Sequence, residues 1–316
     1  MLNTPILMVV FNRADHTQKV FDRIREVKPK QLFMSADGPR THKPNEQAKT
    51  DAVRAIIEQV DWDCEVHTLF QQDNLGCRNG VSTGINWFFD HVDRGIILED
   101  DCVPDVSFFQ FCEELLERYK DEERILQISG SNLIADQFSN YKESYIFSNF
   151  ALIWGWATWR RAWKKMELDM VNFDTFKTQN RIQDLIPDKG GQFYMLDKFE
   201  DTRKKINDSW AYAWFYSLLW HKGLSIIATK NLIQNVGIGG DDATHITSSN
   251  VERYKKSSSS LTFPLIHPTV IEKHNDKVAM QFFYATQKPY HLLLINKVVP
   301  LSWLKWYRKM KKRYGF

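Results

Sequence analysis

The chain has 316 residues, 43% of them hydrophobic and 14% aromatic, ample for a buried core in one large domain or two small ones. Its net charge of +3 excludes a large nucleic-acid footprint. The four cysteines, Cys64, Cys77, Cys102 and Cys112, form no C-x-x-C pair, which argues against a zinc site and for free thiols in a reducing cytosol.

Residues 6–11 (ILMVVF) are too short an apolar run to span a bilayer. They lack a basic n-region and a small-residue cleavage site, so they predict a first strand with Asn12 and Arg13 at its tip. Val20, Phe21, Ile24 and Val27 then recur at helical spacing up to Lys28-Pro29. Residues 31–35 predict a second strand, followed by Asp37-Gly38-Pro39-Arg40 and a polar loop over 41–50. Val53, Ile56, Ile57 and Val60 mark a helix, and 64–70 a third strand. Leu75 through Gly80 reads as a loop, and Val81, Ile85, Phe88 and Phe89 as the next helix face.

The strand at 96–98 runs straight into three acids, Glu99, Asp100 and Asp101. Adjacent like charges repel, and burying them unpaired is costly. A hard cation such as Mg²⁺ or Mn²⁺ removes that conflict; an acidic surface turn is the plainer alternative. Asp105 then stands where it can cap a helix carrying Phe108, Phe109, Phe111, Leu115 and Leu116. Repeated strand–helix alternation predicts an α/β fold with a parallel, doubly wound sheet whose polar strand tips form a cleft.

Beyond residue 125 the pattern changes. Strands are expected at 125–129, 145–150 and 225–229. Trp154, Trp156, Trp159 and Trp163 fall within ten residues and fit a turn followed by an amphipathic helix, serving the core or a substrate wall. Residues 167–200 look irregular and partly helical. Asp208 or Ser209 is placed to cap a very apolar helix running through Trp220 and closed by Gly223. Residues 235–245 read as a flexible polar loop ending in His245, and 255–260 as a low-complexity, mobile stretch. From Trp303 to Phe316, six basic residues surround a helical face of Trp303, Trp306, Tyr307, Met310 and Tyr314. That is the pattern of peripheral membrane attachment, with a helix packed on the domain as the alternative.

These motifs, in this order over residues 5–245, resemble the GT-A-fold nucleotide-sugar glycosyltransferases of the inverting N-acetylglucosaminyltransferase I type, in a bacterial form. Ile97-Leu98-Glu99-Asp100-Asp101 followed by a Phe-Phe helix is similar to that family's D-x-D-type segment. The resemblance implies a Rossmann-like, mostly parallel sheet flanked by helices with a C-terminal helical extension. It divides the chain into a nucleotide-sugar-binding half (1–125), an acceptor-binding half (126–246) and an extension (247–316). It implies that Asp101 binds Mn²⁺ or Mg²⁺, with His245 as a second metal or pyrophosphate contact. Glu99 and Asp100 then contact the donor sugar and ribose, Arg13 and Arg78 the nucleotide, and Asp37 the base.

Asp208, before Trp210, resembles the segment that supplies the catalytic base, with Asp197 and Asp201 as alternatives; a plain helix cap is the bland reading of Asp208, and a loop histidine that of His245. The implied activity is transfer of a hexosyl or N-acetylhexosaminyl group from a nucleotide-diphosphate sugar, a UDP-sugar first, to a glycan or lipid-linked glycan. Surface-polysaccharide or lipopolysaccharide synthesis at the inner face of the plasma membrane is the implied setting. Two rivals stand beside it. A sugar-nucleotide nucleotidyltransferase usually carries a glycine-rich loop after strand one, where this chain has Phe11-Asn12-Arg13-Ala14-Asp15. A non-catalytic carbohydrate-binding protein is opposed by the intact acidic triplet.

Overall fold

The computed structural model describes residues 1–186, 189–239 and 254–274. His245 and the 303–316 tail lie outside them. The strands are β1 (Ile6–Val10), β2 (Gln31–Ala36), β3 (Glu65–Phe70), β4 (Arg94–Glu99), β5 (Cys102–Pro104), β6 (Ile125–Ser129), β7 (Tyr145–Ser148), β8 (Trp156–Trp159), β9 (Leu224–Ala228) and β10 (Ile233–Asn235). The helices are α1 (Ala14–Val27), α2 (Glu46–Arg54), α3 (Gly76–His91), α4 (Val106–Arg118), α5 (Arg160–Trp163), α6 (Phe173–Thr178), α7 (Ile182–Leu185), α8 (Lys189–Arg203) and α9 (Ala211–Trp220).

Eight strands form one mixed, mostly parallel sheet in the order β3-β2-β1-β4-β8-β6-β9-β7, flanked by helices. The β3-β2-β1-β4 half is wholly parallel, as the strand–helix alternation requires. Its inner strands are continuous apolar runs because both faces are covered. Register places Val9 opposite both Ser35 and Glu99, so the residues after β1, β2 and β4 leave the sheet at one level.

The second half departs from the expected pattern. The Trp-rich block is a strand before it is a helix: β8 inserts antiparallel between β4 and β6, and one turn of α5 follows. Gly155, at φ +62°, turns the chain into β8, and Trp-Ala-Thr-Trp has the aromatic and β-branched character of a strand. Trp156, Trp163, Trp210 and Trp214 then pack together, with Trp156 stacked on Trp210 at 5.7 Å and 24° and Trp163 5.2 Å from Trp214. All four are buried, which decides for core over substrate wall; Trp154 alone in this block is left to line the cleft. Helix α9 is buried from Ala213 to Leu219, so it runs through the core rather than over it.

Three further expectations change. Residues 76–80 belong to α3 and not to a loop. Neither Asp208 nor Ser209 caps α9, whose N-cap position is Trp210 without a side-chain bond. The serine-rich stretch is held in place. Ser259 N–H donates to the Asn231 carbonyl at 2.7 Å, the Asn231 amide donates to the Ser257 carbonyl at 2.9 Å, and Lys230 donates to the Ser260 carbonyl at 2.9 Å. Among the described residues no helix is long and apolar enough to cross a membrane. The four cysteines are free thiols, with Cys102 and Cys112 buried.

Asp105 does cap α4. It accepts from Ser107 N–H at 2.9 Å, and its other oxygen accepts from the Ser260 hydroxyl at 2.9 Å, tying the C-terminal strap to the helix start. Asp105→Ala should therefore cost roughly 1–2 kcal/mol in urea unfolding. A change within a few tenths would mean that neighbouring groups satisfy the helix end without it.

Candidate functional site

The strand tips enclose a cleft of about 600 Å³. Arg13, Asp37, Glu99, Asp100, Asp101 and Asp208 all line it, together with Asn12, Arg40, Trp154, Trp210, Asn235 and Gly237. Six of the eight residues singled out from the sequence thus converge on one site at the C-terminal ends of β1, β2 and β4. Arg78 does not. It is buried and points the other way, donating to the Leu168 carbonyl at 2.7 Å, the Thr202 carbonyl at 3.1 Å and the Asp169 carboxylate at 2.7 Å. It joins α3 to the second half of the chain. Asp197 and Asp201 lie on α8 and do not line the cleft.

Charge at the strand tips is organised around Arg13. Its guanidinium grips Asp100 with two nitrogens, Nε to Oδ2 at 3.2 Å and a short contact from Nη2 to Oδ1, and Nη2 also reaches Asp101 Oδ2 at 3.0 Å. Burial pushes Arg13 down, but Asp100 and Asp101 more than offset it, so its proton is held more firmly than usual. Burial also pushes Asp100 up, against the pull of Arg13. The two directions are compatible because three acids share one base. The shortfall falls on Glu99, the acid Arg13 does not touch: burial, then Asp101 and Asp100, push it up to about 8. Its Oε1 is buried without a hydrogen-bond partner among the described residues.

That orphaned oxygen and the surplus negative charge fit a hard divalent cation in donor type. Among the described residues Asp101 Oδ1 is met by Asn235 Nδ2 at 3.3 Å and Cys102 Sγ at 3.4 Å. Among the described residues no three His, Cys, Asp or Glu side chains form a cage. A cation of the Mg²⁺ type needs none, since it commonly takes one or two carboxylates plus phosphate oxygens.

Asp37 and Asp208 do one job from two directions: they receive the first amides of α3. Asp37 accepts from Leu75 N–H at 2.8 Å and Gly76 N–H at 3.1 Å; Asp208 accepts from Cys77 N–H at 2.8 Å and Arg78 N–H at 3.1 Å. Four consecutive orphan donors at a helix start are satisfied by carboxylates that also favour its positive end. Gly76, at φ +76°, is required here, because a side chain on it would meet the Asp208 carboxylate at 2.6 Å. Burial pushes Asp37 up despite these bonds, with Asp208 adding to the rise.

Two features carry no local sequence signal. Strands β5 and β10 pair antiparallel, so Asn235 and Gly237 are brought beside Asp101 from over a hundred residues away. On the opposite side, Glu46 holds Arg40 and Asn12 at the cleft wall. It accepts from Arg40 N–H at 2.7 Å and from Asn12 Nδ2 at 3.0 Å, while Arg40 lies 5.2 Å over the Phe11 ring.

The Arg40 side chain holds Glu46 down to about 2, from an ordinary 4.5. A depressed folded value means that the stabilisation is present above 4.5 and is lost as pH falls through about 2. Glu46→Gln should destabilise by roughly 2 kcal/mol near neutrality, a figure reduced for the part-exposed Arg40. The gap to wild type should narrow on acidification to about pH 3. Urea midpoints at the two pH values check this; a gap that does not change with pH would show that charge is not its source.

No family model and no curated protein matches the chain. Among solved structures, HddC from Yersinia pseudotuberculosis aligns with a TM-score of 0.27 and 8% identity, over 46% of this chain and 59% of that one. UDP-glucose pyrophosphorylase complexed with UDP-glucose aligns at 0.27 and 11% identity, over 48% of this chain and 64% of that one. Its apo form aligns at 0.33 and 9%, over 71% and 90%. The chain thus spans about six tenths of the HddC chain that it matches. None of these similarities assigns an activity to the chain.

Proposed function

We propose that the cleft binds a nucleotide-diphosphate sugar and that the protein transfers the sugar to a hydroxyl of a glycan acceptor, with inversion. The observation that carries this reading is the convergence of Arg13, Glu99, Asp100, Asp101 and Asp208 on one cleft at the strand tips. A nucleotide-diphosphate leaving group gains negative charge as the sugar bond breaks. Mg²⁺ or Mn²⁺ held through Asp101, with Glu99 beside it, supplies neutralisation of that charge. Arg13 adds a forked cation at the same place. Asn12 and Arg40 offer polar contacts along the wall next to β1.

The acceptor hydroxyl needs a base within hydrogen-bond reach. Among the described residues Asp208 is the carboxylate of the second half that lines the cleft. Two backbone amides fix its orientation, and a carboxylate so held retains further lone pairs for an acceptor proton. A displacement with inversion needs this one base and no enzyme nucleophile. In this reading Trp154, half-buried at the rim, meets the acceptor ring.

Incubation with a panel of UDP-, GDP- and CMP-linked sugars and glycan acceptors, read by mass spectrometry, tests the reading. A glycosylated product from one donor is expected. Release of pyrophosphate from a nucleoside triphosphate and a sugar phosphate would instead make the protein a nucleotidyltransferase.

Two variants separate the roles. Asp101→Asn should abolish the Mn²⁺-dependent part of UDP binding in calorimetry; unchanged metal-dependent affinity would remove Asp101 from the cation site. Asp208→Asn should leave UDP affinity near wild type and cut turnover by roughly 10²–10⁴-fold. Near-normal turnover would leave Asp208 with α3 alone.

A further inference from the structure

We propose that Arg13 is a resident counter-cation of Asp100 and Asp101, and that a divalent cation has to displace it from Asp101, leaving its guanidinium on Asp100 to face the diphosphate. This rests on the reading of the cleft as a nucleotide-diphosphate site. The geometry makes the Asp101 contact the one that can be exchanged. Asp100 is held by two nitrogens of Arg13, whereas Asp101 is held by one, and that nitrogen is shared with Asp100. Losing Asp101 leaves the fork on Asp100 in place.

The surroundings fix the backbone beside these side chains. Val236 N–H donates to the Asp101 carbonyl at 2.9 Å, and Gly237 N–H donates to Asn235 Oδ1 at 2.9 Å. Gly237 packs directly against Arg13 Nη1 and Asp101 Oδ2, and a side chain there would collide with both. The Arg13 side chain is about a quarter exposed and faces the cleft. It cannot escape the competition by losing its proton, because guanidinium stays charged in proteins. Arg13, bonded to Asp101 Oδ2, and a metal on Asp101 therefore draw on the same carboxylate, and each must lower the other's affinity by the same factor. A bound diphosphate reverses the sign, since it offers oxygens to both cations at once.

Calorimetry of the full chain at fixed pH, with MnCl₂ alone and with UDP at saturating MnCl₂, separates these effects. Arg13→Gln should bind Mn²⁺ alone roughly tenfold or more tightly than wild type, because one nearby positive charge has gone. The same variant should bind UDP in saturating Mn²⁺ roughly tenfold more weakly. Arg13→Lys keeps the charge and loses the fork, so its Mn²⁺ affinity should fall between the two; it carries the comparison if Arg13→Gln fails to fold by circular dichroism. Equal or weaker Mn²⁺ binding by the Arg13 variants overturns the proposal while leaving the metal site standing. Absence of Mn²⁺ binding in wild type and variants overturns both.

Discussion

Three carboxylates in sequence at the end of a buried parallel strand are the constraint around which this protein is built. Glu99, Asp100 and Asp101 leave β4 with one arginine between them, and that arginine comes from the tip of the neighbouring strand β1. An uncompensated buried charge costs more than most packing defects, so this pairing restricts what can stand nearby. It requires the β1 tip to reach over β4. It also requires a glycine at 237, where any side chain would enter the ion pair. The compensation remains partial, and Glu99 keeps a buried oxygen with no partner among the described residues. Such incomplete neutralisation is a poor way to stabilise a fold and a good way to prepare a site for a cation.

The second organising feature joins the two halves. The start of α3 is a row of backbone donors, and the acids that satisfy it come from the β2 tip and from the segment before α9. Arg78, in the first turn of the same helix, reaches into the second half in return. Asp208 is thereby positioned by a helix of the first half although it belongs to the other half of the sequence. If it serves as the base, its placement relative to the acidic triplet depends on α3, whose first turn borders the cleft.

Packing behind the cleft is aromatic where three elements meet. Trp156 on β8, Trp163 on α5, and Trp210 and Trp214 at α9 close on one another. Trp214 gives its indole N–H to Gln127 at 2.6 Å, and Gln127 passes a bond to the Leu152 carbonyl at 2.6 Å. This chain of bonds links the aromatic core to the segment that carries Trp154 at the rim. Large rigid side chains with one polar atom each suit such a place, filling volume while fixing orientation.

The apolar runs of the first hundred residues, and their alternation with helical periodicity, determined the parallel half-sheet and the level of its tips. Local hydrophobic pattern is the signal that buried strands leave. The triplet, Arg13, Asp37 and Asp208 were legible as chemistry-bearing residues because their types and strand-end or helix-start positions are local facts. Their partners were not. The family resemblance implied a nucleotide contact for Arg78, but its place on α3 turned it to the opposite side. Asp208 looked like the cap of its own helix, and only its placement beside the start of α3 showed whose amides it receives. The Trp block has both strand and helix character, and its insertion between β4 and β6 decided the matter. Asn235 and Gly237 became neighbours of Asp101 through the β5–β10 pair, a contact between segments over a hundred residues apart. Long-range pairing of this kind is set by which edges and faces remain to be covered once the local elements have formed, and no window of sequence contains it.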